Sequence, residues 1–208
     1  MKGLLLKDFY MTFRYCRAYL LMIAVFIAVS FAGQENLFFV FFPCMISGML
    51  PVTLLAYDER SKWNEYCRVL PYSKAQIVSG KYLVGLIAQL AVLFVTGIAQ
   101  ALRMQAAGML NLQNFGALMG MLLILSSAAS SLVLPFMFRY GVEKGRIAYY
   151  VMIGIVTAGG IGVTNLFRGN AVADRAVRGA MPLLCAAGVM LYALSWVLSI
   201  AFYKKQQA

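Results

Sequence analysis

Six apolar blocks, at residues 18–33, 37–57, 82–102, 115–138, 147–167 and 180–202, alternate with polar segments along the chain, and none contains Lys, Arg, Asp or Glu. Crossing about 30 Å of hydrocarbon takes roughly 20 helical residues, so each block is long enough or nearly so. Lipid offers no water to backbone polar groups, which makes each block a helix. The first block is short and must borrow Tyr15 and Cys16 or lie where the bilayer thins. The pattern therefore predicts an all-α, polytopic membrane protein: one transmembrane domain over residues 1–208 with six transmembrane helices.

Ahead of the first block, residues 1–16 place Leu5, Phe9 and Phe13 at helical spacing while Lys2, Lys7 and Arg14 remain polar. That pattern predicts an amphipathic helix in the interface plane. An extended first span with a charged end is the plainer alternative, disfavoured because Lys7 and Asp8 lie too far from Ala18 to snorkel. Within the blocks, Gly116 and Gly120 form a GxxxG pair, residues 126–131 are all Ser or Ala, and Gly159, Gly160 and Gly162 cluster. Small residues let helix backbones approach, so packing is the first explanation and a hinge or substrate path the sharper one. Pro43, Pro51 and Pro135 are kink positions that a bundle tolerates.

Composition agrees: 62% of the 208 residues are hydrophobic and 12% charged, against about 45–50% and about 25% in soluble domains. Of 18 Lys and Arg, all but Arg103, Arg168, Arg175 and Arg178 fall on one side if the N-terminus is cytoplasmic. This bias puts both termini inside. The net charge of +11 would suggest nucleic acid in a soluble chain. Here the bases lie between apolar blocks, so anionic lipid headgroups are the expected counter-charge and nucleic acid is not an expected partner. No cleavable leader is read, because Gln34, Glu35 and Asn36 follow the first block in place of small residues.

The interior is notable for missing chemistry. Proton relays and coupling-ion sites need ionisable groups at depth, and no block carries one. Gln89 and Gln100 are the most polar candidates there and read as interhelical hydrogen-bond partners. The four cysteines show no CxxC spacing and the chain has no histidine, so no metal site is expected. Gly80-Lys81 lacks the first glycine and the following hydroxyl of a phosphate-binding loop, so the chain is not its own ATPase.

The loop at 58–74 is long for a link between spans. It is expected to form a helix from Ser61, acting as N-cap, to Leu70 ahead of Pro71. Trp63 and Tyr66 alternate with charges, as anchors do inside a polar surround at protein interfaces; the alternative is an interfacial helix with both rings in the headgroup belt. Tyr57-Asp58-Glu59-Arg60-Ser61-Lys62-Trp63, Leu70-Pro71-Tyr72-Ser73 and Val78-Ser79-Gly80-Lys81-Tyr82 resemble the ABC-2 type transporter permease family. More narrowly, they are similar to small stand-alone permeases such as the membrane subunits of the phenol-soluble modulin exporter. The stretch from Leu134-Pro135 to Gly145-Arg146 and the opening ten residues fit as well, so the resemblance covers essentially the whole chain.

The resemblance implies a coupling helix between spans 2 and 3 that sits in a groove of a separate cytosolic ABC ATPase. Its contact residues here would be Asp58, Glu59, Arg60, Ser61, Lys62, Trp63, Glu65, Tyr66, Arg68 and Leu70, joined by Arg139, Glu143, Lys144 and Arg146 of the second loop. It further implies a bacterial cell membrane and a pair of permeases, homodimeric or with a close paralogue. ATP and magnesium would be held by the partner and no cofactor by this chain. The expected role is a non-enzymatic exporter subunit moving amphipathic or hydrophobic cargo, such as peptides or lipid-like molecules. Unlike larger permeases of that family, the chain has short outer loops at 34–36 and 103–114. The fifth loop, 168–179, carries Arg168, Arg175 and Arg178 and reads as a solvated loop or an exit for anionic cargo. A non-transporting assembly or sensor-docking protein is the alternative; an ion-coupled transporter is disfavoured by the uncharged interior.

Overall fold

A computed structural model of the chain describes residues 2–32, 37–67, 69, 72–106, 108, 111–148, 150–151, 154–155, 158 and 171–206. The described chain is helical: α1 (Lys2–Tyr15), α2 (Arg17–Ala32), α3 (Leu37–Arg60), α4 (Trp63–Cys67), α5 (Lys74–Ala106), α6 (Leu112–Tyr140) and a C-terminal helix (Ala171–Gln206). A further helical stretch follows α6 at residues 142–148. Four segments among the described residues are long and apolar enough to cross a membrane: Phe38–Arg60, Lys74–Ala106, Phe115–Tyr140 and Gly179–Tyr203. Gly3–Tyr15 and Arg17–Phe31 amount to a fifth only if taken together.

Those two segments meet at an angle of 69°, so α1 is not a straight continuation of α2. The break falls at Cys16, which is fully buried, yet backbone bonding continues on both sides, from Cys16 to the Thr12 carbonyl and from Leu20 to the Cys16 carbonyl, each 3.0 Å. The 16 residues of α2 by themselves rise only about 24 Å, and Tyr15 and Cys16 lie at the bend. The expected fifth span, 147–167, lies largely outside the described residues. The expected fifth loop is corrected from Ala171 onward. No residue between Ala171 and Gly179 stops a helix, and Arg175 and Arg178 belong to the C-terminal helix.

Helices also run past the apolar blocks. The 33 residues of α5 extend roughly 50 Å, against roughly 30 Å for block 82–102, so Lys81 marks the block's edge and the first turns project beyond it. On the far side, Asn111 caps α6 by accepting a bond from the Gln113 amide at 3.0 Å, shortening the connection expected at 103–114. Pro43, Pro51 and Pro135 lie inside uninterrupted helices.

The bundle is held by close backbone approach and by hydroxyls. A Cβ on Gly85 would sit 3.1 Å from the Pro51 ring, one on Gly48 3.1 Å from Ala129, and one on Gly188 3.1 Å from the Ser127 hydroxyl. Gly120 meets Cys185 in the same way, but Gly116 faces no atom within 4 Å, so the GxxxG pair works through one member only. One face of α5 supplies polar links. Gln89 donates to the Ser126 carbonyl and Ser130 hydroxyl of α6, and Gln100 donates to Ser30 of α2 at 2.7 Å. The phenol of Tyr82 meets Ser195 and Ser199 at 2.8 and 2.6 Å, while its ring stacks on Trp196 at 5.6 Å. Gln89 and Gln100 are thus the interhelical partners expected, each such bond contributing on the order of 1 kcal/mol.

Candidate functional site

The charges absent from the apolar blocks gather at the end of the bundle that carries α4. The exposed side of α1 is Leu6, Phe9, Tyr10 and Phe13; the opposite side, Leu4, Asp8 and Thr12 at intervals of four, is buried against α5. There Lys81 Nζ lies 2.6 Å from Asp8 Oδ1 and 2.6 Å from Asp58 Oδ2. Lys7 Nζ lies 2.7 Å from Asp58 Oδ1 and 3.7 Å from the centre of the Trp63 ring. Two acids and two bases thus tie together α1, the last turn of α3, α4 and the first turns of α5. Asp8, Asp58 and Lys81 are almost completely buried, and Asp8 Oδ2 has no hydrogen-bond partner among the described residues. A buried pair of this kind is nearly neutral when intact and costly when one member is lost.

Of these residues only Asp58 is among the contact residues the resemblance implies; Lys7 and Asp8 enter the sequence reading as polar positions of the first helix, and Lys81 as part of Gly80-Lys81. The available signal was a lone acid on α1 in register with Leu4 and Thr12, and a lone base at the edge of an apolar block. Pairing them needs a contact between residues 73 apart in sequence, which spacing along a helix does not reveal.

The helix expected from Ser61 to Leu70 is shorter than that. Helix α3 continues through Arg60, a turn follows at Ser61 and Lys62, and α4 spans only Trp63–Cys67. Ser61 is not an N-cap: its hydroxyl donates back to the Asp58 carbonyl at 3.2 Å. Lys62 adopts φ 53°, a left-handed conformation that ends helices. Arg68 and Leu70 lie outside the described residues. Trp63 turns inward against Lys7 and the cluster of Cys67, Ile77, Val78 and Tyr82, whereas Tyr66 is 66% exposed and Arg60, Lys62 and Glu65 are exposed beside it. Burial pushes the Cys67 thiol above its ordinary pKa, an effect opposed by Lys7.

Glu59 joins the two expected contact loops. Its Oε2 accepts the Val142 amide at 3.2 Å, just after Gly141, whose φ of 85° suits glycine. The carboxylate thereby caps the stretch at 142–148, on which Glu143, Lys144 and Arg146 are exposed. Arg139 lies over the Tyr140 and Phe202 rings at 5.1 and 5.0 Å. Between these parts is a cavity of about 440 Å³ whose polar lining includes Asp58, Glu59, Lys81, Arg139 and Lys144.

An all-helical bundle of several apolar spans, with its charges gathered into one end, defines a multi-pass membrane protein. The family described as "ABC-2 family transporter protein" matches residues 3–204, and the chain belongs to that family. It is accordingly a permease component of an ABC transporter, a membrane subunit of a kind whose ATPase is a separate chain. No curated protein and no solved structure matches it.

Proposed function

We propose that the chain is the permease of an ABC exporter that moves amphipathic or hydrophobic cargo, peptides above all, outward across a bacterial cell membrane. In this reading six spans place both termini and α4 in the cytoplasm, in line with the basic bias of the loops. A cytosolic ATPase binds ATP and magnesium beneath a pair of permeases, two copies of this chain or this chain and a close paralogue. The phenol-soluble modulin exporter's membrane subunits are the pattern this layout is similar to.

The observation that carries the proposal is the Glu59 bridge. One carboxylate at the end of α3 holds the 142–148 stretch, while its neighbour Asp58 holds α1 and α5. A partner gripping Tyr66, Glu65 and Lys62 on one side and Glu143, Lys144 and Arg146 on the other would therefore pull on four helices at once. Tyr66 takes the anchor role, because Trp63 is committed to Lys7.

The test is co-expression with a candidate ABC ATPase from the same genome and reconstitution into vesicles. ATP-dependent cargo flux is expected, and Tyr66→Ala with Glu65→Lys is expected to reduce both flux and permease-stimulated ATP hydrolysis at least about fivefold, as loss of an interface anchor does. Copurification without flux would instead favour an assembly or sensor-docking protein. Flux driven by protons or sodium without any ATPase would overturn the proposal.

A further inference from the structure

A second feature at the α4 end is independent of any ATPase. Residues Lys7, Tyr10, Met11 and Arg14 on α1 recur at three- and four-residue intervals and face Tyr57 and Arg60 on the last turn of α3 and Ser61 just after it, across an open pocket of about 610 Å³. Its two walls are joined by the Lys7–Asp58 ion pair at 2.7 Å and by the Tyr15 and Tyr57 rings, whose centres are 4.7 Å apart. Among the described residues no carboxylate lines it. Lys7 is committed to Asp58 and the Trp63 ring, but among the described residues neither Arg14 nor Arg60 forms an ion pair. Two guanidiniums without counter-charge therefore border a pocket that also offers phenol and Ser61 hydroxyls. Guanidinium forks match phosphate oxygens in geometry and charge.

The position selects the kind of phosphate. The pocket opens where the apolar run of α3 gives way to Asp58, Glu59 and Arg60, the level of a headgroup. Beside it runs the exposed stripe Leu6, Phe9, Tyr10 and Phe13 of α1, with the Phe9 and Phe13 rings edge to face at 5.0 Å. An apolar stripe next to a basic pocket suits a ligand with acyl chains attached to its phosphate. We infer that this pocket binds the headgroup of an anionic glycerophospholipid, Arg14 and Arg60 holding the phosphate while the acyl chains lie along the α1 stripe.

The full-length chain in a neutral detergent, without ATPase, provides the test. Binding of short-chain phosphatidylglycerol, short-chain phosphatidylcholine and inorganic phosphate is followed by native mass spectrometry and thermal shift. Preference for the anionic lipid over phosphatidylcholine of about tenfold or more is expected, since each base near a lipid surface contributes on the order of a factor of five. Arg14→Gln with Arg60→Gln should abolish that preference, and the matching lysine pair should recover part of it. Removing the same two charges at Lys204 and Lys205 should leave it intact.

Equal loss from both pairs would reduce the effect to net charge and overturn the assignment, as would inorganic phosphate competing at the lipid's own concentration. If the double variant does not fold, the unaltered protein still decides. Phenylglyoxal should modify Arg14 and Arg60 more slowly in phosphatidylglycerol than in phosphatidylcholine, with Arg146 as internal reference. Unchanged rates would sink the site. Because no ATP or cargo is involved, failure here leaves the transport reading untouched, and failure of transport leaves this one standing.

Discussion

Asp8 is 1% exposed on its side chain and Lys81 4%, so neither charge can fall back on water if its partner is removed. Asp8→Asn is expected to destabilise the α1–α5 junction by about 1.5–3 kcal/mol, the scale of a hydrogen bond to a charged group, because Lys81 keeps Asp58 at 2.6 Å. Adding Lys81→Gln should recover part of that loss, because the two positions are coupled. Thermal melting of the detergent-solubilised chain checks both, and losses from the two single variants that simply add in the double variant would mean the pair contributes nothing. Cys67 is an adjacent reporter. Burial, the largest influence on it, raises its pKa and so lowers the thiolate fraction at any pH below that value. Maleimide labelling, read site by site, should therefore be slow at Cys67 through neutral pH, and Asp8→Asn should accelerate it by loosening α1. A fast Cys67 in the unaltered chain would contradict the inward packing of α4.

Between helices, the decisive contacts are made by residues with little or no side chain. A Cβ on Gly80 would meet Leu4 Cδ2 at 2.7 Å, and one on Gly85 would approach two Pro51 ring carbons at 3.1 and 3.3 Å. Leu4 can swing aside, whereas the proline ring cannot. Gly85→Val is therefore expected to cost about 2 kcal/mol and Gly80→Ala distinctly less, measurable as loss of folded fraction in a detergent-denaturant titration. This difference also marks what the chain's pattern could reveal. Four long helices were legible, because 20-residue runs without a charge admit no other structure in lipid. Helix ends were not: α3 runs on to Arg60 and is ended by Lys62 turning left-handed, α4 covers only Trp63–Cys67, and α5 begins eight residues before its apolar block. The bend at Cys16 has no Pro or Gly to announce it. The face of α1 that docks was hidden for a related reason. Leu5, Phe9 and Phe13 formed the more conspicuous stripe, whereas burial fell on the side where Asp8 finds Lys81.

At the level of the whole molecule, the α4 end is tied together by ion pairs among α1, α3 and α5. The Glu59 bridge makes this testable without cargo. Glu59→Ala removes the acceptor of the Val142 amide, so hydrogen exchange should speed several-fold in peptides covering 142–148, while α6 ahead of Gly141 keeps its protection. Unchanged exchange at 142–148 would show that the two loops move separately. Helix α5 gives this end a mechanical role. From Lys74 to Lys81 it extends about 10 Å, and from Lys81 to Ala106 nearly 40 Å, with the ion pairs of Lys81 acting as a pin between the two arms. Pushed sideways at its short arm, a rod pinned there swings its long arm in the opposite sense and by more than three times the distance. A displacement of about 1 Å near Lys74 would thus become several ångströms at the far face, carried there together with the α6 and α2 residues bonded to Gln89 and Gln100.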